Sequence, residues 1–563
     1  MLRSPISIYV NWSAYDELSD TVELTEELAM KQFDECVRLR KLGVRFDSYL
    51  MDAFWYDPSG GYRRWRRPHW PDGPGRWLEA CRREGLKPGL WFSGNTLARL
   101  ECAPEWEDSL DPRRHSMCMF HGGFMQDYLD VLRYWYGRGI RLFKFDFFNF
   151  SEAAPSCVKH ELLPSEIRSM NIGALRAGLA SLRRECPEII IIGYNGFQEV
   201  KTLRKTDLPL YRSVDPQWLS VFDSLYSGDM RPADMPSVNF WRSNDIYCDH
   251  MVKVFERNGF PLAGIDNAGF YIGSTGCCYR RRKAAWKSML VLSLARGGLV
   301  NTCFGNLDLL DDKDAVFFSR VQSLFFHMLK YGKTATFGGI PGKGEAYGYI
   351  SEEPDGALLT AVNPSQLQKT VPLPVSGEAR ILFRDSGFMP GLDIGALTLG
   401  PEQMALLGTG TYNDKTHDLG TEHDIRIPGS VKPLDAVFEN ITEKELSVSV
   451  QVPEDGCIRI LLEQKTRDGL CKRVECGPFA HRVSAADLLK LEIHQNGKPV
   501  QAELVHDRQI WSGISWASAE IPVQQLDPGA ELKISFRSEE AQPVLLTGSI
   551  LHALYNEGDE ESP

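Results

Sequence analysis

The sequence predicts an α/β protein, a (β/α)8 TIM barrel followed by C-terminal antiparallel β-sandwich domains. Three observations carry the prediction. Over about the first 330 residues, strand signals alternate with helix signals through short connections. After Lys333 the helical period stops and alternating strands take over. The turn after the first strand reads Asn11-Trp12-Ser13-Ala14, without the glycine-rich turn of a doubly wound open sheet, which is the runner-up.

In order, the first strand is expected over 7–12 and the first helix over 24–42, opened by an acidic turn and stopped by Gly43. A second strand follows over 45–52, a helix over 77–83 closed by Gly85, and a third strand over 87–92. The helix over 124–137 leads into a strand within 139–149. The next helix spans 165–184, and the β-branched run 188–194 makes a fifth strand. A weaker sixth strand over 220–227 precedes a helix over 245–258 and a seventh strand over 262–266. Residues 282–296 are helical, 299–304 the eighth strand, and 315–330 the last helix. Beyond them, 346–350 and 357–362 flank Pro354-Asp355-Gly356, a good hairpin turn. Residues 413–427 are polar and read as a linker. Further strands are expected over 447–452, 457–463, 491–495 and 531–536, with a frayed acidic end over 556–563. The expected division is a barrel over 1–333, a β domain over 334–427 and a β-sandwich over 428–563.

A chain of 563 residues suits about three domains. The net charge of −12, with no basic block, argues against nucleic acid as a partner. No apolar run reaches membrane-spanning length and no signal-peptide pattern opens the chain. The 13 cysteines are odd in number and scattered, so they read as reduced thiols in the cytoplasm. Cys277-Cys278 lack partners at zinc spacing, and neither His-Glu-x-x-His nor a phosphate loop occurs, so no metal or nucleotide cofactor is indicated. Further copies of the chain are a possible partner.

The chemistry is sought at the C-terminal ends of the strands, where barrel sites lie. In Ile140-Arg141-Leu142-Phe143-Lys144-Phe145-Asp146, alternation puts Lys144 and Asp146 on one face with aromatics behind. Burying both charges is costly unless they pair, and a cation nearby would keep Asp146 ionised at neutral pH. Asp146 then reads as a nucleophile or base, or else as half of a structural ion pair. Around it, other strand ends supply Asp52, Trp55, Trp91 and Asn195, and the stretch after strand six supplies Arg242 and Asp245. Such a rim is rich in carboxylates and tryptophans and has no nucleophile elbow. Two carboxylates without metal ligands suit glycoside hydrolysis. Asp52 could instead cap its turn, and Trp55 and Trp91 could be core. Arg242 could pair with an acidic loop residue. Asp229 and Asp249 compete with Asp245 for the second carboxylate. Trp511 and Trp516 could bind sugar, although sandwich core is the simpler reading.

Several stretches together resemble the α-galactosidase clan, glycoside hydrolase families 27 and 36. These are the strand ending in Asp52-Ala53-Phe54-Trp55, then His69-Trp70-Pro71-Asp72-Gly73, and Gly85-Leu86-Lys87-Pro88-Gly89-Leu90-Trp91-Phe92. Lys144-Phe145-Asp146 looks like the clan's Lys-aromatic-Asp motif, and Trp241-Arg242-Ser243-Asn244-Asp245-Ile246 is similar to the stretch holding its acid/base. The resemblance implies a retaining, exo-acting α-glycosidase, most simply an α-galactosidase. Asp146 would be the nucleophile and Asp245 the acid/base, with Asp52, Trp55, Trp91, Lys144, Asn195 and Arg242 holding the sugar. Two departures stand out: Ala53 replaces the clan's second aspartate, and Arg242 and Asp245 are more tightly spaced than in many relatives.

The same chemistry in relatives would make an α-N-acetylgalactosaminidase, a β-L-arabinopyranosidase or a transglycosylase. A non-catalytic carbohydrate-binding barrel and a Schiff-base lyase using Lys144 belong to other classes.

Overall fold

The computed structural model describes residues 2–14, 23–53, 55–59, 61–97, 100–158, 162–198, 214–229, 235–266, 269–273, 282–469, 471–472, 474, 485–502, 504 and 514–556. The barrel begins with β1 (Ile6–Val10), α1 (Glu26–Lys41), β2 (Ser48–Met51), α2 (Gly75–Glu84) and β3 (Lys87–Ser93). It continues with α3 (Phe124–Gly137), β4 (Leu142–Asp146), the short α4 (Pro155–Val158), α5 (Pro164–Glu185), β5 (Ile190–Gly193), β6 (Ser224–Tyr226) and α6 (Phe240–Arg257). It ends with β7 (Ile265–Asp266), β8 (Phe270–Ile272), α7 (Trp286–Ala295), β9 (Val300–Gly305) and α8 (Asp312–Tyr331).

Strands β1 to β7 pair side by side in sequence order, β7 pairs with β9, and β9 pairs in parallel with β1, so the sheet closes on itself. The eighth stave is therefore β9. Strand β8 continues the seventh stave: β9 has β1 on one edge, and on the other it pairs with β7 at Val300 and with β8 at Cys303–Gly305. Gly305 permits the close pairing with Ile272: it has φ +95°, and a Cβ there would lie 1.6 Å from the Ile272 carbonyl oxygen. Local sequence sets the helix ends. Thr25 caps α1, its hydroxyl accepting from the Leu28 N–H at 3.3 Å, and Gly85 ends α2 in the left-handed region. Helix α6 starts at Phe240, five residues before the expected 245, so Arg242 and Asp245 both lie within it.

After the barrel comes a six-stranded sheet with a three-stranded sheet beside it, built around Ile350, Leu359, Val371, Leu397 and Leu407. Its outermost strand, Gly420–Arg426, lies inside the stretch expected to be a linker and pairs in parallel with Ala379–Ser386. Ile425 from this strand and the adjoining Ile427 are buried, which gives the polar run its reason to fold. The last sheets, of four and five strands, stack around Val448, Ile460, Trp516 and Ile534. Trp516 is wholly buried there and is core; Trp511 and the pair Cys277-Cys278 lie outside the described residues. Among the described residues, no helix is long and apolar enough to cross a membrane, and no cluster of His, Cys, Asp or Glu has metal-binding geometry.

Candidate active site

Strand β4 sits between β3 and β5, with Trp91 opposite Lys144 and Ser93 opposite Asp146. Alternation turns Lys144 and Asp146 inward and packs Phe143 and Phe145 outward against β3 and α3 aromatics. The Lys144 ammonium lies 2.8 Å from Asp52 Oδ2, with side-chain exposures of 5% and 2%. It also sits 4.1 Å from the centre of the Tyr194 ring and 5.4 Å from that of Phe304. Asp52 serves its turn as well, since Oδ1 accepts from the Ala53 N–H at 2.8 Å.

Asp146 is held by backbone. Its Oδ1 accepts from the N–H of Phe147 at 2.9 Å and of Asn195 at 3.0 Å, while the Trp91 indole N–H reaches Oδ2 at 3.4 Å. Two local conformations make this possible. Phe147 has φ +53°, unusual for a bulky residue, and turns its N–H back onto the carboxylate. Gly196 has φ +107°, and a Cβ there would lie 2.4 Å from the Phe148 carbonyl oxygen, so only glycine lets the fifth strand end close on the fourth. Burial pushes the Asp146 carboxyl up to about 6; Lys144 pulls it back down, and Asp229 pushes it further up. At pH 7 the ionised form still leads by about ten to one.

Asp229 is the second carboxylate at this mouth. It follows β6, and the Asn195 side-chain amide lies 3.3 Å from each of its oxygens. Asn195 thus binds Asp146 through its backbone and Asp229 through its side chain. Behind them, Asp266 at the end of β7 accepts from the Tyr194 hydroxyl at 2.7 Å and from the Thr302 hydroxyl at 2.5 Å. Burial raises the Asp266 carboxyl to about 6.

Three sequence expectations are corrected by these positions. Arg242, fully buried, donates from Nη1 to Asp245 Oδ2 at 3.2 Å, from Nη2 to Asp385 Oδ2 at 2.8 Å, and from Nε to the Glu402 carbonyl at 2.9 Å. Asp385 and Glu402 belong to the first β domain, so Arg242 and Asp245 sit in the seam between barrel and β domain. The three-residue spacing explains it: on a helix, i and i+3 share one face, and that face of α6 meets the β domain. Trp55 is also displaced. Its ring packs 4.9 Å from Trp65, 5.7 Å from Phe92 and 5.6 Å from Trp135, in the layer between barrel and helices, and its N–H donates to the Trp91 carbonyl at 2.8 Å. It is core. The competitor Asp249 lies in the same seam, bonded to Arg296 at 2.7 Å, Tyr347 at 2.5 Å and Tyr349 at 2.8 Å.

Glu402 completes that seam. Its carboxylate, fully buried, accepts from the Val238 N–H at 2.8 Å, the Asn239 amide at 2.5 Å, and Ser237 and Gln366. Val238 inserts into the core of the last sandwich, where Ser518 donates to its carbonyl at 3.4 Å. All three layers therefore meet on the segment that joins Asp229 to α6.

The architecture thus defines a closed parallel barrel, carboxylates at its mouth, with β domains locked against one flank. Neither a family model nor a curated protein matches the chain. Solved structures do. A family 36 α-galactosidase, AgaB of Geobacillus stearothermophilus, aligns over 72% of this chain and 55% of its own, at 14% identity and TM-score 0.50. The α-galactosidase of Lactobacillus brevis aligns over 73% and 55%, at 10% identity and TM-score 0.50. The galactosidase domain of the α-galactosidase–sucrose kinase AgaSK aligns over the same shares, at 14% identity and TM-score 0.50. The fold is therefore similar to that of these α-galactosidases, and the chain spans about half their length.

Proposed function

We propose that the protein is a retaining α-glycosidase that removes terminal α-galactosyl or closely related residues from small oligosaccharides. The observation that supports this best is Asn195, which ties one carboxylate to its backbone N–H and another to its side-chain amide. Asp146 attacks the anomeric carbon, and the Phe147 and Asn195 N–H groups orient its oxygens. Asp229 protonates the departing oxygen and then takes a proton from water, so two inversions give net retention. Lys144 and Asp52 together offer a donor and an acceptor to neighbouring sugar hydroxyls, and Trp91 walls the pocket. The Ala53 side chain, almost fully buried beside Asp52, has no hydrogen-bonding atom where the clan's second aspartate stands, so one hydroxyl of galactose goes unread. That favours sugars tolerant at one position, such as arabinopyranose. The chemistry belongs to residues 1–333, the flanking domains being 334–427 and 428–563. The described cysteines are free thiols, in keeping with a cytoplasmic enzyme acting on imported sugars.

The test is a panel of aryl α- and β-glycosides of galactose, N-acetylgalactosamine, arabinopyranose and glucose, with Asp146→Ala alongside. The variant should lose turnover, and added azide should restore aryl release with an inverted glycosyl azide as product. Hydrolysis by the variant at the wild-type rate would end the nucleophile assignment.

A further inference from the structure

We infer that Asp266, acting through Tyr194, is a positioning residue that seats the Lys144 ammonium where it stabilises the ionised form of Asp146. The inference rests on the glycosidase reading above and adds to it a pair of residues behind Lys144.

The argument runs along one line of contacts. Lys144 is the strongest influence holding the Asp146 carboxyl down against burial. A lysine, however, carries its charge on a flexible stem and loses considerable rotamer freedom when fixed. Its ion pair with Asp52 fixes one direction only. The other wall is the Tyr194 face, 4.1 Å from the ammonium, with Phe304 at 5.4 Å. Tyr194 is itself fixed twice, by stacking on Tyr226 at 4.4 Å and by its hydroxyl donating to Asp266 at 2.7 Å. Thr302 from β9 holds the other Asp266 oxygen. The ring under the lysine is therefore pinned from the next two staves, β6 and β7.

The groups facing each partner are few. Asp146 meets Asp52 from the β2 end, Lys144 from β4, Asp229 from the β6 end, the Asn195 N–H and the Trp91 indole. Asp266 meets Lys144, Tyr194 and Thr302, and lies near Tyr271 of β8 and Cys303 of β9. This arrangement gives two mechanisms opposite signs. If Asp266 acted only through its negative field, neutralising it would ease ionisation of Asp146 and move the acid limb of kcat/KM to lower pH. If it acts by seating Lys144, loosening that seat weakens the stabilisation of the carboxylate and moves the limb to higher pH.

The experiment measures kcat/KM against pH for wild type, Tyr194→Leu, Tyr194→Phe, Asp266→Asn and Asp146→Ala, using an activated aryl glycoside cleaved by the wild type. Tyr194→Leu removes the seat and should raise the acid limb by about 0.5 pH unit or more. Tyr194→Phe, which keeps the ring and loses its anchor, should raise it less, and Asp266→Asn should also raise it. Thermal melts establish that each variant is folded; the near-isosteric Phe and Asn variants carry the test should the Leu variant not fold. An acid limb that stays put or falls in the folded Tyr194 and Asp266 variants overturns the inference. Turnover that survives Asp146→Ala overturns the glycosidase reading instead, so the two failures are separable.

Discussion

Two buried networks in this molecule are built from the same acids and held by different counter-groups. At the barrel mouth, Asp52, Asp146, Asp229 and Asp266 gather at the strand ends, and Lys144 is the cation that acts on Asp146 and Asp266. At the seam, guanidinium groups carry the charge: Arg242 bonds Asp245 and Asp385, and Arg296 bonds Asp249, which takes two tyrosine hydroxyls besides. Burial pushes up the carboxyls of Asp249 and Asp385 as it does that of Asp146, with the facing arginine opposing it in each case. The difference is what holds the oxygens. An arginine fork fixes geometry and charge together, which suits a joint. Backbone N–H groups and one lysine orient a carboxylate and leave it free to change its bonding, which suits a reacting group. A cluster of buried acids is thus not in itself a site; its counter-groups decide.

The sharpest way to break that contrast is to neutralise one acid from each network. Asp229→Asn should cut kcat/KM by about 10²–10⁴-fold on glycosides with poor leaving groups and far less on those with very good ones. Asp245→Asn should leave kcat/KM near wild type and lower the melting temperature. Steady-state kinetics across a leaving-group series checks both, and a collapse in the Asp245 variant alone would reverse the assignment. Next in size, Arg242→Leu strands Asp385 and Asp245 in the seam and should cost about 3–5 kcal/mol of stability by urea unfolding. A smaller effect separates the two tryptophans. Trp55→Phe should cost about 1–2 kcal/mol with KM unchanged, while Trp91→Phe, which loses the N–H facing Asp146, should show mainly in catalysis.

A further effect is on pH and stability. Asp146 and Asp266 titrate near 6 in the folded chain and near 3.8 when exposed, so between these values the folded state holds more protons. Their contribution to stability is therefore present below about pH 4 and is lost as pH rises to about 6. Melts of Asp146→Asn should show a flatter dependence across that window and a higher melting temperature at pH 7 than wild type.

Much of this was readable from residues alone. The Lys144-Phe145-Asp146 alternation placed two charges inward on a buried strand, and no neighbouring choice of face would bury them so. The strands and helices of the barrel follow from apolar period and capping, with ends shifted by a few residues. Asp229 was harder, because Ser227-Gly228-Asp229 has no period of its own and only the closed sheet brings it beside Asn195. Arg242 and Asp245 matched a motif by residue type, but a one-residue change in spacing selects another helix face. Trp55 follows a turn, where alternation no longer tells inside from outside. Tyr194 and Asp266 each stand at a strand end, but nothing local pairs them, since their bond joins strands five and seven. The stretch 413–427 looked like a linker because half of its side chains face solvent at a sheet edge.

Glu402 has a consequence for how such a chain can be divided or inherited. With Ser237, Val238 and Asn239 on its carboxylate and Val238 seated in the last sandwich, the barrel has no clean cut line at residue 333. A barrel excised there would bare Val238 to water and leave Arg242 without Asp385. Shuffling of the C-terminal layers between homologues would have to carry matching residues at 237–242, so these modules are bound to drift together as one evolving unit.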